Sequence, residues 1–171
     1  MAQDGFSRKH PVAAAVTSAC FALSAGSAWA SPADTNAFQL LDAGQDNVLS
    51  IVSPALEAPA GATAEGNRIT VSIEGDANGG WGEAWTTPLF GAGLPAPGLL
   101  EQTGWNNAIA LEVSGTGNLF SIVQAGTANL ATGQVSGIGN ALAVVQQGQG
   151  NIAHFSQAGS GNALSIAQTS W

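Results

Sequence analysis

The sequence predicts an all-β protein, a β-solenoid of stacked strand-turn-strand rungs, and three coincident repeats predict it. In the second half of the chain Asn recurs every 11 residues, Gln or Val follows six positions later, and Gly follows two positions after that. A fixed period of this kind indicates identical units that stack on one another. The repeated residues are Asn107, Asn118, Asn129, Asn140, Asn151 and Asn162; Val113, Gln124, Val135, Gln146, Gln157 and Gln168; and Gly115, Gly126, Gly137, Gly148 and Gly159.

The structural unit is predicted to be a 22-residue rung made of two 11-residue half-repeats, because Val-Ser-Gly recurs at 113–115 and 135–137. Half-repeats that begin at Asn118, Asn140 and Asn162 carry bulky apolar residues two and four positions later, whereas the alternating half-repeats are mixed. The predicted core residues are Phe120, Ile122, Leu142, Val144, Phe155, Leu164 and Ile166.

Each half-repeat has the alternation of a strand followed by a tight turn. Even steps from the Asn share one face of a strand, and that face reads Asn, apolar, apolar, Gln. The Gly that follows is suited to a turn with positive φ. In a stack of such strands the Asn and Gln side chains can form amide ladders, which satisfy polar groups that are costly to bury alone.

The chain is predicted to have three parts. Residues 1–30 form a signal peptide, residues 31–106 form interrupted repeats with loops at 54–66 and 79–95, and residues 107–171 form the regular array. Counting across the interruptions gives about five rungs.

The first 30 residues have the features of a processing signal. A basic start is followed by a small apolar stretch and by Ala28-Trp29-Ala30, an A-x-A cleavage site. The stretch is too short and too rich in Ala and Ser to predict a membrane span. A lipoprotein signal with Cys20 as the modified residue is a competing interpretation. After cleavage at Ala30 the mature chain, residues 31–171, has no cysteine and therefore no disulfide.

The charge of the mature chain argues against nucleic-acid binding. Of the 11 acidic residues only Asp4 is removed, and Arg68 is the single remaining basic residue besides histidine, so ten negative charges face one positive charge. The acids lie mostly in the first half, where they keep the chain soluble during export or form a calcium site. They include Asp34, Asp42, Asp46, Glu57, Glu65, Glu74, Asp76, Glu83 and Glu101.

The sequence predicts no catalytic residue, no metal ligand set and no cofactor. His154 is the one histidine of the mature chain, and it occupies an outward step without an evident Asp or Cys partner. Nucleophile elbows, zinc helices and Cys pairs are absent from the sequence.

The repeat resembles the curlin repeat, whose pattern is Ser-x5-Gln-x-Gly-x-x-Asn-x5-Gln. The stretches 118–129 and 140–157 fit it, with Asn where the family often has Ser, whereas Val113 and Val135 replace Gln, and Gly133 interrupts a strand. The resemblance implies a bacterial curli-type subunit that leaves the cell through an outer-membrane export pore with accessory factors. It also implies polymerisation with itself and with other curlin subunits into biofilm-matrix amyloid. Major subunit, minor nucleator and surface anchor all stay open.

Self-assembly is also expected from the strand at 162–168, which the sequence follows with no capping segment. A non-polymerising surface adhesin is the alternative, with the loop carrying Trp81 and Trp85 either binding a ligand or folding back onto the stack. An ice-binding solenoid is disfavoured because its outward column would consist of Thr. That column reads Ala110, Ser121, Thr132, Ala143, His154 and Ser165.

Overall fold

A computed structural model describes residues 36–53, 66–80, 84–85 and 94–171, and all structural statements below concern these ranges. The predicted signal peptide, Trp81 and most of both predicted loops lie outside them. Within them all regular secondary structure is β-strand, and no helix long and apolar enough to cross a membrane is present. The strands are β1 (Ala37–Ala43), β2 (Ser50–Val52), β3 (Arg68–Glu74), β4 (Leu99–Trp105), β5 (Ala108–Thr116), β6 (Leu119–Thr127), β7 (Leu130–Ile138), β8 (Ala141–Gln149), β9 (Ile152–Ser160) and β10 (Ala163–Thr169).

The strands alternate between two parallel sheets. Sheet 1 has the order β1-β3-β5-β7-β9, and sheet 2 has the order β2-β4-β6-β8-β10. Each odd strand and the even strand that follows it therefore form one rung, and the described residues contain five such pairs. This is the β-solenoid that the repeats predict, with each strand hydrogen-bonded only to strands of the neighbouring rungs.

The register of the regular part repeats every 22 residues. Val113 pairs with Val135 in sheet 1, and Phe120 pairs with Leu142 in sheet 2. The predicted 22-residue rung is therefore confirmed. In the front half the pairs are more widely separated in sequence, as for Ile69 with Ile109, because insertions lie between the strands.

The apolar core lies between the two sheets and is formed by alternate residues of each strand. Phe120, Ile122, Leu142 and Val144 are fully buried there, and Phe155 is 7% exposed. Leu164 and Ile166, on the last strand of sheet 2, pack against the same core but are only partly buried. Their partial burial reflects a missing neighbour, because β10 contacts a strand on one side only.

Two kinds of glycine with positive φ lie near the corners, illustrated by Gly137, the penultimate residue of β7, and Gly139, just after β7. Both have positive φ, of 121° and 64°. A Cβ at Gly137 would overlap the carbonyl oxygen of Gly159 in the next rung, whereas a Cβ at Gly139 would meet no atom within 4 Å. The close stacking of rungs therefore demands glycine at the first position, and backbone conformation alone favours it at the second.

The described residues 84–85 and 94–97 of the insertion between β3 and β4 are called the strap, and the strap packs against the outer face of sheet 2. Trp85 and Leu94 contact Ala141 and Ala143, which are 1% and 0% exposed. The Trp85 indole Nε1–H donates a hydrogen bond to the Pro95 carbonyl at 2.9 Å. Of the two interpretations of this loop, folding back onto the stack is the one that Trp85 and Leu94 follow, because apolar side chains gain burial there.

The predicted outward column is only partly accessible to solvent. Ser121 and Ala143 do lie on the outer face, but both are fully buried, and the Ser121 hydroxyl donates to the Leu99 carbonyl at 3.0 Å. His154, in the same column on sheet 1, is exposed. The two outer faces of the solenoid therefore differ in their access to solvent.

Replacing Gly137 by Ala should destabilise the fold by about 3 kcal/mol or more, because both the backbone conformation and the next rung oppose a Cβ. The matched change Gly139→Ala should cost about 1 kcal/mol, since only the left-handed conformation opposes it. Equilibrium denaturant unfolding of the two variants measures the difference. Equal losses would contradict the stacking explanation.

Candidate functional site: the amide ladders and the sheet edges

Two columns of asparagine run along the solenoid at the two corners where strands begin, and most of their side chains are fully buried. Each backbone N–H donates to the side-chain Oδ1 of the asparagine in the preceding rung, as Asn129 does to Asn107 at 3.1 Å. The Asn129 Nδ2 donates to the same oxygen at 3.0 Å. Ladder 1 contains Asn36, Asn67, Asn107, Asn129 and Asn151, and ladder 2 contains Asn47, Asn78, Asn118, Asn140 and Asn162.

The asparagines also reach the following rung. The Asn118 Nδ2 donates to the Gly137 carbonyl at 3.1 Å, and the Asn140 Nδ2 donates to the Gly159 carbonyl at 2.9 Å. A single Asn therefore uses its oxygen as an acceptor and its Nδ2 as a donor in the same corner. An aspartate has no such donor, which explains why the repeat requires an amide.

A third column, the Gln ladder, runs through the interior of sheet 2. Gln102 donates from Nε2 to the Gln124 Oε1 at 2.8 Å, and Gln124 and Gln146 repeat this bond toward the next rung at 2.8 and 2.7 Å. The Gln124 Nε2 also donates to the Ala108 carbonyl at 3.0 Å. The Gln ladder consists of Gln102, Gln124, Gln146 and Gln168.

Gln157, which the sequence assigns to the amide columns, makes no bond to another Gln. Its strand β9 belongs to sheet 1, where the residue paired with it is Val135. The Gln157 Nε2 donates to the Ala141 carbonyl at 3.3 Å, but its Oε1 is buried without a hydrogen-bond partner. Valine supplies no donor to that oxygen, so the ladder prediction fails at this residue.

The ladders extend further than the sequence assigned them. Five residues of the front half, which the sequence places in interrupted repeats but not in the ladders, carry the same hydrogen bonds. They are Asn36, Asn47, Asn67, Asn78 and Gln102. The sequence does contain a signal for the four asparagines. Asn36 and Asn67 are 31 residues apart, and so are Asn47 and Asn78, which is the spacing expected when both corners of one rung stack on both corners of the next.

Among the described residues, no strand pairs with the outer side of either end of the solenoid, so both ends are sheet edges. We call β1 and β2 the N-terminal edge and β9 and β10 the C-terminal edge, since each of these strands pairs on one side only. Core residues of β1, β2 and β10 are partly buried, whereas Ala153 and Phe155 of β9 are buried, as are the core residues of the middle rungs. The partly buried residues are Phe38, Leu40, Leu49, Ile51, Leu164 and Ile166.

The acidic front half does not assemble a metal site within the described ranges. No group of three or more His, Cys, Asp or Glu side chains is close enough together there to hold an ion. Asp76 Oδ1 accepts the Gln45 backbone N–H at 2.9 Å, and Asp42 Oδ1 accepts the Asn47 Nδ2–H at 2.7 Å. These two carboxylates therefore cap backbone and amide donors near the N-terminal edge.

No protein-family model, curated protein or solved structure matches this chain. The established property is therefore the β-solenoid fold with its stacked repeats. The likeness to the curlin repeat stays a prediction that rests on the repeat residues.

Replacing Gln124 by Leu should destabilise the soluble chain by about 2–4 kcal/mol, because it leaves the Gln102 Nε2 without its ladder acceptor and the Gln146 Oε1 without its donor. The same change at Gln134, which is exposed and donates only to the Ser156 hydroxyl at 3.2 Å, should alter stability by less than about 0.5 kcal/mol. Denaturant unfolding curves measure both. Similar effects at the two positions would contradict a stabilising Gln ladder.

Proposed function

We propose that this chain is a structural subunit of an extracellular, curli-type amyloid fibre that grows by templated stacking of β-rungs. The observation that carries the proposal is that both sheets, the asparagine ladders and the core reach two edges at which each of them can continue. A second copy is the partner whose residues repeat the same spacing. Stacking it on an edge would extend every column by the contacts already present within one chain.

The composition of the C-terminal edge supports pairing. Soluble β-proteins block exposed edges with charged residues, proline or bulges. Residues 113–171 contain no Asp, Glu, Lys, Arg or Pro, and the pairing of β8 with β10 is regular along all seven residues of β10. Identical in-register side chains with amide ladders are also what stabilises cross-β fibres.

The strap supports growth along the stack rather than side by side. It covers Ala141 and Ala143 on the outer face of sheet 2, so another sheet cannot lie directly on that patch. The edges, in contrast, carry partly buried apolar residues such as Phe38 and Leu164, which gain burial when a further rung is added.

The predicted signal peptide and the curlin resemblance support the route to the cell surface. In this proposal the chain enters the periplasm and passes the outer-membrane curli export pore unfolded, with the help of accessory factors. It then folds on an existing fibre end at the cell surface, alone or with other curlin subunits, and contributes to biofilm matrix and adhesion. The proposal involves no cofactor, metal, nucleic acid, membrane span or catalytic step.

A specialised subunit is the second candidate, and the strap favours it. A uniform fibre repeat has no need of an insertion that carries Trp85 and Leu94 onto one face. A minor nucleator or anchor would accelerate fibre formation by another curlin subunit at low molar ratio. A non-polymerising adhesin would instead stay monomeric and bind a surface ligand.

Purified mature chain, residues 31–171, should form thioflavin-positive fibres with a meridional reflection at about 4.7 Å, because its strands lie perpendicular to the direction of stacking. Fibre diffraction and seeded growth measure this. A chain that stays monomeric at high concentration would contradict the proposal.

Within that assay, Asn162→Ala with Gln168→Ala should slow elongation by about tenfold or more, because two ladder positions at the C-terminal edge are lost. Ser165→Ala with Thr169→Ala is the matched control, since both residues are exposed on the same strand and neither belongs to a ladder. Equal growth rates of the two double variants would argue against ladder continuation.

A further inference from the structure

We propose that copies of this chain join in one polarity only, with the C-terminal edge of one copy on the N-terminal edge of the next, and that Gln157 of the first copy donates to Asp42 of the second. This inference rests on the proposed function and specifies the partner edge and the register of the same surface. Continuation of the existing register places Asn151 beside Asn36 and Gln157 beside Asp42 of the next copy.

The direction of the hydrogen bonds gives the solenoid a polarity. Each ladder asparagine donates its backbone N–H toward the preceding rung and accepts from the following rung through Oδ1. The C-terminal edge therefore offers the Oδ1 acceptors of Asn151 and Asn162 to a further rung. The N-terminal edge offers the backbone donors of Asn36 and Asn47, so only the head-to-tail arrangement joins donors to acceptors.

The sizes of the core residues match in the same arrangement. Inside the solenoid Phe120 and Phe155 each lie beside a glycine of the preceding rung. Phe155 pairs with Gly133, whose missing side chain leaves the space next to the Phe155 ring, and the Phe120 carbonyl accepts the Gly98 backbone N–H at 2.6 Å in the adjacent strand. The head-to-tail register continues this pattern, because it places Phe38 of the next copy beside Ala153.

In the same register the Asp42 carboxylate accepts a hydrogen bond from the Gln157 Nε2. Within one chain every Gln of the Gln ladder below the last rung donates its Nε2 to an acceptor in the following rung. Gln157 is 6% exposed, and its Nε2 donates one hydrogen to the Ala141 carbonyl within the chain. Because Gln157 lies in the last rung of sheet 1, an acceptor in a following rung for the second hydrogen can come only from an added copy. The Asp42 carboxylate is exposed and accepts one bond from Asn47, which leaves further lone pairs for Gln157.

The other two arrangements bring like groups together. If two N-terminal edges met, the Asp42 carboxylates of both copies would come close to each other, as would Asp46 in the adjoining turn. If two C-terminal edges met, the Oδ1 acceptors of Asn151 and Asn162 would meet acceptors of the other copy and no donors. Neither contact continues a ladder, and the first also brings negative charges together.

The test measures elongation of each variant of the mature chain on seeds of the same variant. Asp42→Leu should elongate about tenfold slower than wild type, because the Gln157 amide loses the acceptor that the next copy supplies for its second N–H. Asp42→Asn also removes the charge but keeps an acceptor oxygen, and it should elongate at least about fivefold faster than Asp42→Leu. Glu74→Leu is the control for charge, since Glu74 is exposed and lies on β3, away from both edges.

The reciprocal change separates the interface from folding. Gln157→Val should raise the denaturant midpoint of the soluble chain, because it removes a buried oxygen without a partner, yet it should slow elongation about tenfold. Combining it with Asp42→Val should restore growth toward the wild-type rate. That pair would reproduce the apolar contact between Val113 and Val135 in the same sheet.

The outcomes are distinguishable. Slow single variants with a restored double variant support the inference. Wild-type fibres whose growth is unaffected by Asp42→Leu and Gln157→Val would overturn it while leaving the proposed function intact. Slow growth of Glu74→Leu to the same degree as Asp42→Leu would also overturn it, because general charge would then explain the effect. A wild-type chain that forms no fibres would overturn the proposed function and this inference together.

Discussion

The buried asparagine at each corner is the interaction on which the rest of the structure depends. It sits where one strand ends and the next begins, and its amide connects the rung before it to the rung after it, as Asn118 does between Asn78 and Gly137. A buried amide without these partners would destabilise the fold. Because a slip of one residue would turn every side chain to the opposite face, the asparagine contacts also fix which residues reach the core.

The same stacking explains the departures from the repeat. Gly133 breaks the apolar pattern of its strand, yet the Phe155 ring of the next rung occupies the space that a side chain there would need. Gly98 ends the long insertion and rejoins the sheet beside Phe120. Insertions are tolerated because they lie in the connections between strands. The hydrogen bonds of β3, β4 and β5 to their neighbouring strands are therefore kept.

The contacts that stabilise the folded chain are the same contacts that would join one copy to the next. Every ladder bond joins neighbouring rungs, so the first and last rungs each lack part of what the middle rungs have. Asn129 contacts both Asn107 and Gly148, whereas Asn151 has only the earlier asparagine and its own turn. The edges are therefore incomplete in the way that a further copy of the same chain can complete. The proposed assembly follows from that incompleteness.

The sequence by itself determined the period, the alternation of faces, the turn glycines and most ladder residues of the regular array. It could do so because a constant 22-residue offset converts spacing along the chain directly into contact between rungs. Only the tertiary structure decided where that offset changes, which brought Asn67 and Asn107 together across 40 residues. It also decided that Gln157 meets Val135 instead of another Gln, and that Trp85 covers Ala143. These contacts depend on which strand or loop lies alongside in space, and an insertion of arbitrary length hides that from the linear pattern.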